Sequence, residues 1–237
     1  MNIIDDYSRF AIASVPLLSE TFESIKPTFL EAFCNYGLPV SILCDNGSPW
    51  GVSGRTGITR FETWAMELGV LILHGRPLHP QTQGKEERFN KTWKRECLEC
   101  IGVELNLGNI ISESEKFRSF YNNERPHSSI GDKVPADLYR KSNREYTDKI
   151  NDWEYDIGFD VKYVNYKGYA ILDGEQYFIG EGLACKQIAV KHSNSHEHCV
   201  DLFFREFKIG RLNLQTKKIE WLRVYRIEND PRDKRLI

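Results

Sequence analysis

Two stretches of this sequence carry carboxylates in settings that suit metal-assisted chemistry. In the first, Asp45 ends the apolar run Ile42-Leu43-Cys44 and is followed by Asn46-Gly47-Ser48. A carboxylate at the C-terminal end of a strand emerges where open α/β sheets place their sites. Taken alone, the segment reads more readily as a plain Asp-Asn-Gly turn. The second stretch is Gln81-Thr82-Gln83-Gly84-Lys85-Glu86-Glu87-Arg88-Phe89-Asn90-Lys91-Thr92-Trp93-Lys94-Arg95-Glu96. On a helix, Phe89, Trp93, Cys97 and Cys100 share one stripe. Glu87 lies about 200° from Phe89, on the face that also carries Lys91 and Lys94. An exposed acid flanked by cations suits a metal-bound phosphate backbone, and a solvated face of helical ion pairs is the plainer alternative. Hard divalent cations prefer oxygen ligands. Two of them about 3.5–4 Å apart clamp the attacking and leaving oxygens of an in-line displacement at phosphorus. Such a pair calls for a third, bridging carboxylate beside Asp45 and Glu87.

The elements that would position these acids alternate between strand and helix. Ile3-Ile4 and Phe10 to Pro16 read as short strands around the turn Asp5-Asp6-Tyr7-Ser8. Ser19 to Tyr36 is helical, with Phe22, Ile25, Phe29, Leu30 and Phe33 at helix spacing. Pro27 must kink that helix or begin its second part. Gly37-Leu38-Pro39 stops it, and Val40 to Cys44 reads as a buried strand. A Gly- and Ser-rich loop follows, then a helix near Arg60 to Leu68 and a strand from Val70 to Leu73. A long helix runs from about Gln83 to Cys100, with another around Ser114 to Asn122. Residues 141–157 are polar, without periodicity, and read as a linker. Beyond them, Val161 to Tyr166, Tyr169 to Leu172, Gln176 to Ile179, Gln187 to Lys191, Cys199 to Phe204 and Phe207 to Leu212 read as strands separated by turn signals. That many short strands suggests a small β-barrel or sandwich.

The chain has 237 residues, 41% hydrophobic and 28% charged, which is ordinary for a globular protein. No apolar run approaches the length of a membrane span and no signal-peptide pattern follows Met1, so the expectation is a cytoplasmic protein. The six cysteines, scattered over a long chain, are expected as free thiols. A formal charge of −2 does not announce a nucleic-acid binder, although phosphate contacts are made by local patches. From Arg205 to Ile237 ten Lys and Arg stand against five Asp and Glu, a locally basic end. His192 to Cys199, with three histidines, reads as a polar hairpin loop rather than a metal cluster. Cys97 and Cys100 fall on the core stripe, so their spacing reads as packing rather than zinc binding. Trp50, Trp64, Trp153 and Trp221 are assigned to packing.

At the acidic segments a resemblance becomes specific. Cys44-Asp45-Asn46-Gly47-Ser48-Pro49, the stretch from His79 to Asn90, and Tyr121-Asn122-Asn123-Glu124-Arg125-Pro126-His127 resemble the integrase-core transposases of bacterial insertion sequences. Ile4-Asp5-Asp6-Tyr7-Ser8-Arg9-Phe10, Tyr36-Gly37-Leu38-Pro39 and Pro135-Ala136-Asp137-Leu138-Tyr139 fit as well. Several linked motifs in the right order make the resemblance stronger than any one of them. It covers residues 1 to about 140; Tyr177 to Glu181 and Phe203 to Gly210 resemble, less specifically, the C-terminal domain of one transposase branch.

The resemblance implies an α/β, ribonuclease-H-like core with an Asp-Asp-Glu triad and two Mg²⁺ or Mn²⁺ ions. Asp45 takes the place of the second acid and Glu87, rather than its neighbour Glu86, that of the third. The first acid belongs to a strand that would precede Met1, so the chain reads as an N-terminally truncated copy, a partial gene product or a protein begun at an internal Met, lacking its central strand and any helix-turn-helix. Asp5 and Asp6 match the next strand-turn, not the catalytic acid. The implied organisation is an incomplete core over 1–140, a linker over 141–157, a β-rich domain over 158–225 and a basic tail over 226–237. The implied partners are duplex DNA, as transposon ends and target, and further copies of the chain in an active assembly, with no membrane and with location at the bacterial nucleoid. Lys85, Arg88, Lys91, Lys94 and Arg125 are the candidate DNA contacts; for Arg125-Pro126-His127 a buried structural corner is an equal alternative. The function implied is metal-dependent cleavage and strand transfer, inactive in the chain as given. The alternative is a non-catalytic DNA-binding remnant that associates with or inhibits a full-length transposase. A phosphoesterase of small molecules would want a closed pocket motif that the sequence lacks.

Overall fold

The computed structural model describes residues 1–45, 47–51, 57–75, 84–98, 106–193 and 196–226. They form two compact units. One comprises Met1–Leu38 with Arg76–Tyr146, the other Pro39–Gly75 with Thr147–Ile237. Both mix helices with sheet, an α/β architecture.

In the first unit, β1 (Asn2–Ile4) and β2 (Ala11–Ser14) form an antiparallel hairpin. The intervening turn is closed by Asp5, whose Oδ2 accepts from the Ser8 backbone N–H at 2.8 Å and the Ser8 hydroxyl at 2.6 Å. Helix α1 (Phe22–Tyr36) starts at Thr21, whose side chain accepts from Ser24 N–H, and ends at Gly37, with φ of 77°. Only glycine takes that backbone turn without strain. Pro27 lies inside α1 instead of starting a second helix. It removes one hydrogen bond, at the carbonyl four residues before, and the buried face of Ile25, Phe29, Ala32 and Phe33 holds the helix regardless.

The predicted long helix is α3 (Gly84–Trp93), which widens into a π-helical turn over Lys94–Leu98. Phe89 and Cys97 are buried on the predicted stripe and Trp93 packs beside them, while Cys100 lies outside the described residues. Helix α4 (Leu107–Asn123) is capped by Asn106 and begins seven residues before the predicted start. Phe117 and Tyr121 on α4 meet Phe89 edge-on, at centroid distances of 5.8 and 4.8 Å. The short helix α5 (Pro135–Leu138) leads to Tyr139, whose ring stacks on Phe10 at 4.3 Å. Burial pushes the Tyr139 phenol up to about 12.

In the second unit, β3 (Ser41–Cys44) and β4 (Leu71–His74) pair in parallel, joined through α2 (Arg60–Glu67). Strand β3 was expected to be buried, yet Leu43 is exposed and Ser41 and Ile42 are half-buried. Among the described residues its ladder partner is β4.

The C-terminal strands are β5 (Asp160–Tyr163), β6 (Tyr169–Leu172), β7 (Glu175–Phe178), β8 (Gln187–His192), β9 (Cys199–Phe204), β10 (Phe207–Asn213) and β11 (Lys218–Arg226). They do not close into the expected barrel. Among the described residues they form an open antiparallel sheet in the order β11-β10-β9-β8-β5, with β6-β7 as a separate hairpin. Strand β11 was not predicted; Ile219 and Trp221 alternate toward the core, and Val224 joins them beyond an irregularity in the pairing with β10. Ile58, Met66 and Leu71 join the core formed by these strands. The segment from His192 to Cys199 connects the antiparallel pair β8 and β9 as a hairpin should, residues 194 and 195 being outside the described set.

The basic surplus of the C-terminal region is partly consumed inside the unit. Lys208 and Arg211 both pair with Asp201, Arg211 at 2.8 Å. Burial alone would raise the Asp201 carboxyl, but the hydrogen bonds from Lys208 and Arg211 hold it below the usual carboxylate range. Arg226 is buried and donates to the Gly69 carbonyl. These three cations face protein, not solvent; residues 227–237 lie outside the described set. The cysteines among the described residues are free thiols.

Candidate functional site

Asp45 follows the last residue of β3 and is exposed. Parallel pairing sets Cys44 opposite His74, so β3 and β4 end together. The Asp45 carboxylate is not loose: Oδ1 accepts from the Gly47 N–H at 2.8 Å, an Asx-turn that fixes its rotamer. Gly51 N–H in turn donates to the Gly47 carbonyl at 2.9 Å, closing the loop. The turn reading and the acid reading therefore describe the same residue, a carboxylate oriented by its own turn.

Glu87 lies in the first turn of α3, which docks on α4 through Phe89, and it is exposed as the helical repeat requires. Its neighbour Glu86 is half-buried, near the Met1 ammonium; burial lowers that ammonium's pKa, against the opposing pull of Glu20 and Glu86. Asn90 anchors α3 to β1, its Oδ1 accepting from Asn2 at 2.7 Å. Arg88, Lys91 and Lys94 are exposed along the helix. Lys85 donates to the exposed Asp6 carboxylate at 2.6 Å. Arg125 is half-buried and pairs with Glu96, whose carboxyl burial would raise but whose bonds to Arg95 and Arg125 lower.

A basic cluster surrounds Tyr121. Burial raises its phenol, against the combined pull of Arg125, Arg9 and Arg88. Burial likewise lowers the His127 imidazole, helped by Arg125 and Arg9. The ring of His127 sits 4.4 Å from that of Tyr121, and its main chain bridges to Lys133. Arg9, with φ of 67°, is the member of this cluster that the sequence reading missed. Its position in the Asp-Asp-Tyr-Ser-Arg turn was visible, but not that the turn faces α4.

The donor chemistry fits a divalent ion in kind: Asp45 and Glu87 offer exposed carboxylate oxygens, which hard cations prefer. Asp45 belongs to the second unit and Glu87 to the first. Among the described residues no group of three or more His, Cys, Asp or Glu side chains is gathered for a metal. Asp5 is committed to Ser8 and Asp6 to Lys85, so neither stands as a ready third ligand.

Comparison with known proteins gives two findings. Residues 68–135 match the integrase core domain family, a stretch that contains β4, α3 and Glu87, α4 and Arg125, but not Asp45. The chain is similar, with a TM-score of 0.48 and 14% identity, to a chain in the cryo-EM structure of the simian T-cell lymphotropic virus intasome in complex with the PP2A regulatory subunit B56 gamma. That match covers 95% of this chain and 70% of the other. Among the described residues no helix is long and apolar enough to cross a membrane.

Proposed function

We propose that this chain is an integrase-core polynucleotidyl transferase of the transposase type, with a ribonuclease-H-like core and with Asp45 and Glu87 as two of its three acidic ligands. The observation that carries the reading is the integrase core match over residues 68–135, with Glu87 exposed on α3 inside it. The oriented carboxylate of Asp45 at the end of a parallel strand is the second support.

In this reading Asp45 and Glu87 hold Mg²⁺ or Mn²⁺, which would activate a hydroxyl nucleophile and stabilise charge at phosphorus. The chain's own residues then have separate tasks. Gly47 N–H holds Oδ1 of Asp45, and the residue is exposed. Arg88, Lys91 and Lys94 offer cations to the phosphate backbone of duplex DNA, and Lys85 and Arg125 join them only by exchanging Asp6 and Glu96 for phosphate. No side chain forms a covalent intermediate. Assembly into an oligomer on transposon ends and target is part of the same proposal.

The third acid is expected on a further strand ahead of β1. Among the described residues Asp5 and Asp6 are engaged elsewhere, and we propose that the residues given do not join strands without that acid. The test compares it with an N-terminally extended protein bearing an Asp-containing strand, on pre-cut transposon-end DNA with Mn²⁺. The extended protein should join strands and lose that ability on Glu87→Gln; joining that survives Glu87→Gln would remove Glu87 from the ligand set. Joining by the unextended chain, abolished by Asp5→Asn or Asp6→Asn, would show that a local acid completes the site. A non-catalytic DNA-binding remnant is the second reading. It predicts DNA binding with no joining even after extension.

A further inference from the structure

His74 has no part in the site as described so far, yet its ring lies across the end of β3. Its Nδ1 is 3.0 Å from the Asp45 carbonyl oxygen, and its Nε2 is 2.9 Å from Oε1 of Glu62. A carbonyl only accepts, so the Nδ1 of His74 must carry the proton of the first bond; an ionised carboxylate also only accepts, so the second bond needs a proton on Nε2 as well, or one on Glu62. Glu62 is itself fixed. It is 2% exposed, its Oε2 accepts from Thr59 N–H at 2.8 Å, and it completes the capping box of α2 by which Thr59 accepts from Glu62 N–H. A continuous chain thus runs from the N-terminus of α2 through Glu62 and His74 to the main chain of Asp45. Gly51 makes room for it: a Cβ there would stand 2.9 Å from Cε1 of His74, inside contact distance.

We propose that His74 is a positioning residue for Asp45, anchored by Glu62, and that it sets the direction of the Asp45 carboxylate toward a divalent ion. The proposal rests on Asp45 being a metal ligand. The link is mechanical. Turning the Asp45 carbonyl turns the main chain that leads to Gly47, and the N–H of Gly47 is what holds Oδ1 of Asp45. With the carbonyl bound to Nδ1 and Oδ1 bound to the Gly47 N–H, Asp45 is held at both its main chain and its side chain. A buried carboxylate that orients a histidine is a recurrent way of supporting a metal ligand from outside its coordination shell. Here the histidine acts on a ligand's main chain instead of on the metal.

The test is a Mn²⁺ titration of the ¹⁵N-labelled full chain, read by paramagnetic broadening of the Gly47 and Gly51 amide signals. The wild type should broaden at Gly47, and Asp45→Asn should not. His74→Phe keeps an aromatic ring without the hydrogen bonds and should need at least ~10-fold more Mn²⁺ for the same broadening. Glu62→Gln can still accept from Thr59 and donate to Nε2, so it should stay within about twofold of the wild type, whereas Glu62→Ala should follow His74→Phe. A purely structural anchor would not separate Glu62→Gln from Glu62→Ala in Mn²⁺ affinity at equal thermal stability. If Asp45→Asn abolishes broadening while His74→Phe and Glu62→Ala both match the wild type, His74 does not position Asp45, and the metal-ligand reading stands without it. If Asp45→Asn broadens like the wild type, the metal-ligand reading fails and takes the proposal with it. A long-range ¹H–¹⁵N spectrum should show the His74 proton on Nδ1; a ring protonated on Nε2 alone would overturn the arrangement.

Discussion

Asn122, buried on α4, does for β2 what a neighbouring strand would do. Its Oδ1 accepts from the Ala11 N–H at 2.8 Å and its Nδ2 donates to the Ala11 carbonyl at 3.0 Å. Ala11 is fully buried, so these main-chain groups have no water to turn to. Arg118 also reaches the carbonyl, at 3.4 Å, which makes the N–H the group with more to lose. Asn122→Ala should therefore destabilise the protein by roughly 1–3 kcal/mol, the cost of an unsatisfied buried donor. Urea denaturation of the two proteins measures it, and a change below about 0.5 kcal/mol would mean that the clasp is not needed. The motif from Tyr121 to His127 was visible in the sequence, but not which of two adjacent asparagines turned inward. His74 and Glu62 were hidden for a related reason: they act through main-chain atoms, which no residue type advertises. The signal that could have found Glu62 is the spacing Thr59-Arg60-Phe61-Glu62, which has the form of a capping box.

Elements were legible where an apolar period met a cap. The stripe of Phe89, Trp93 and Cys97 gave α3 its position and its buried face, and with them the exposure of Glu87. The widening to a π-helical turn at Lys94 was not legible, because helical propensity does not distinguish the two forms of turn. Strand β11 was overlooked because its sequence is rich in charge, while its inward face needs only alternate residues. Within that region Lys208, Arg211 and Arg226 neutralise or cap groups inside the fold. DNA binding should accordingly depend on α3 more than on these residues. Replacing Arg88, Lys91 and Lys94 with Ala should weaken duplex binding and flatten its dependence on salt by about 0.9 per lost phosphate contact. Fluorescence titrations at several salt concentrations decide it. An unchanged slope would leave the exposed face of α3 as solubilising surface.

At the scale of the whole molecule, the chain passes between its two units at residues 38–39, 75–76 and 146–147. The change of pattern after residue 140 was visible in composition. That Ile58, Met66 and Leu71 share a core with the C-terminal strands was not, because an apolar face shows that it is buried but not against what. Asp45 and Glu87, by contrast, stood out in the sequence by type and place. The central claim is that Asp45 and Glu87 serve one divalent-ion reaction, and Mn²⁺ binding tests it without knowledge of any DNA sequence. Electron paramagnetic resonance counts free Mn²⁺ during titration of the wild type, Asp45→Asn and Glu87→Gln. Each substitution is predicted to weaken binding by at least ~10-fold, about 1.4 kcal/mol, with melting temperatures unchanged. Equal Mn²⁺ binding by all three proteins would contradict the claim.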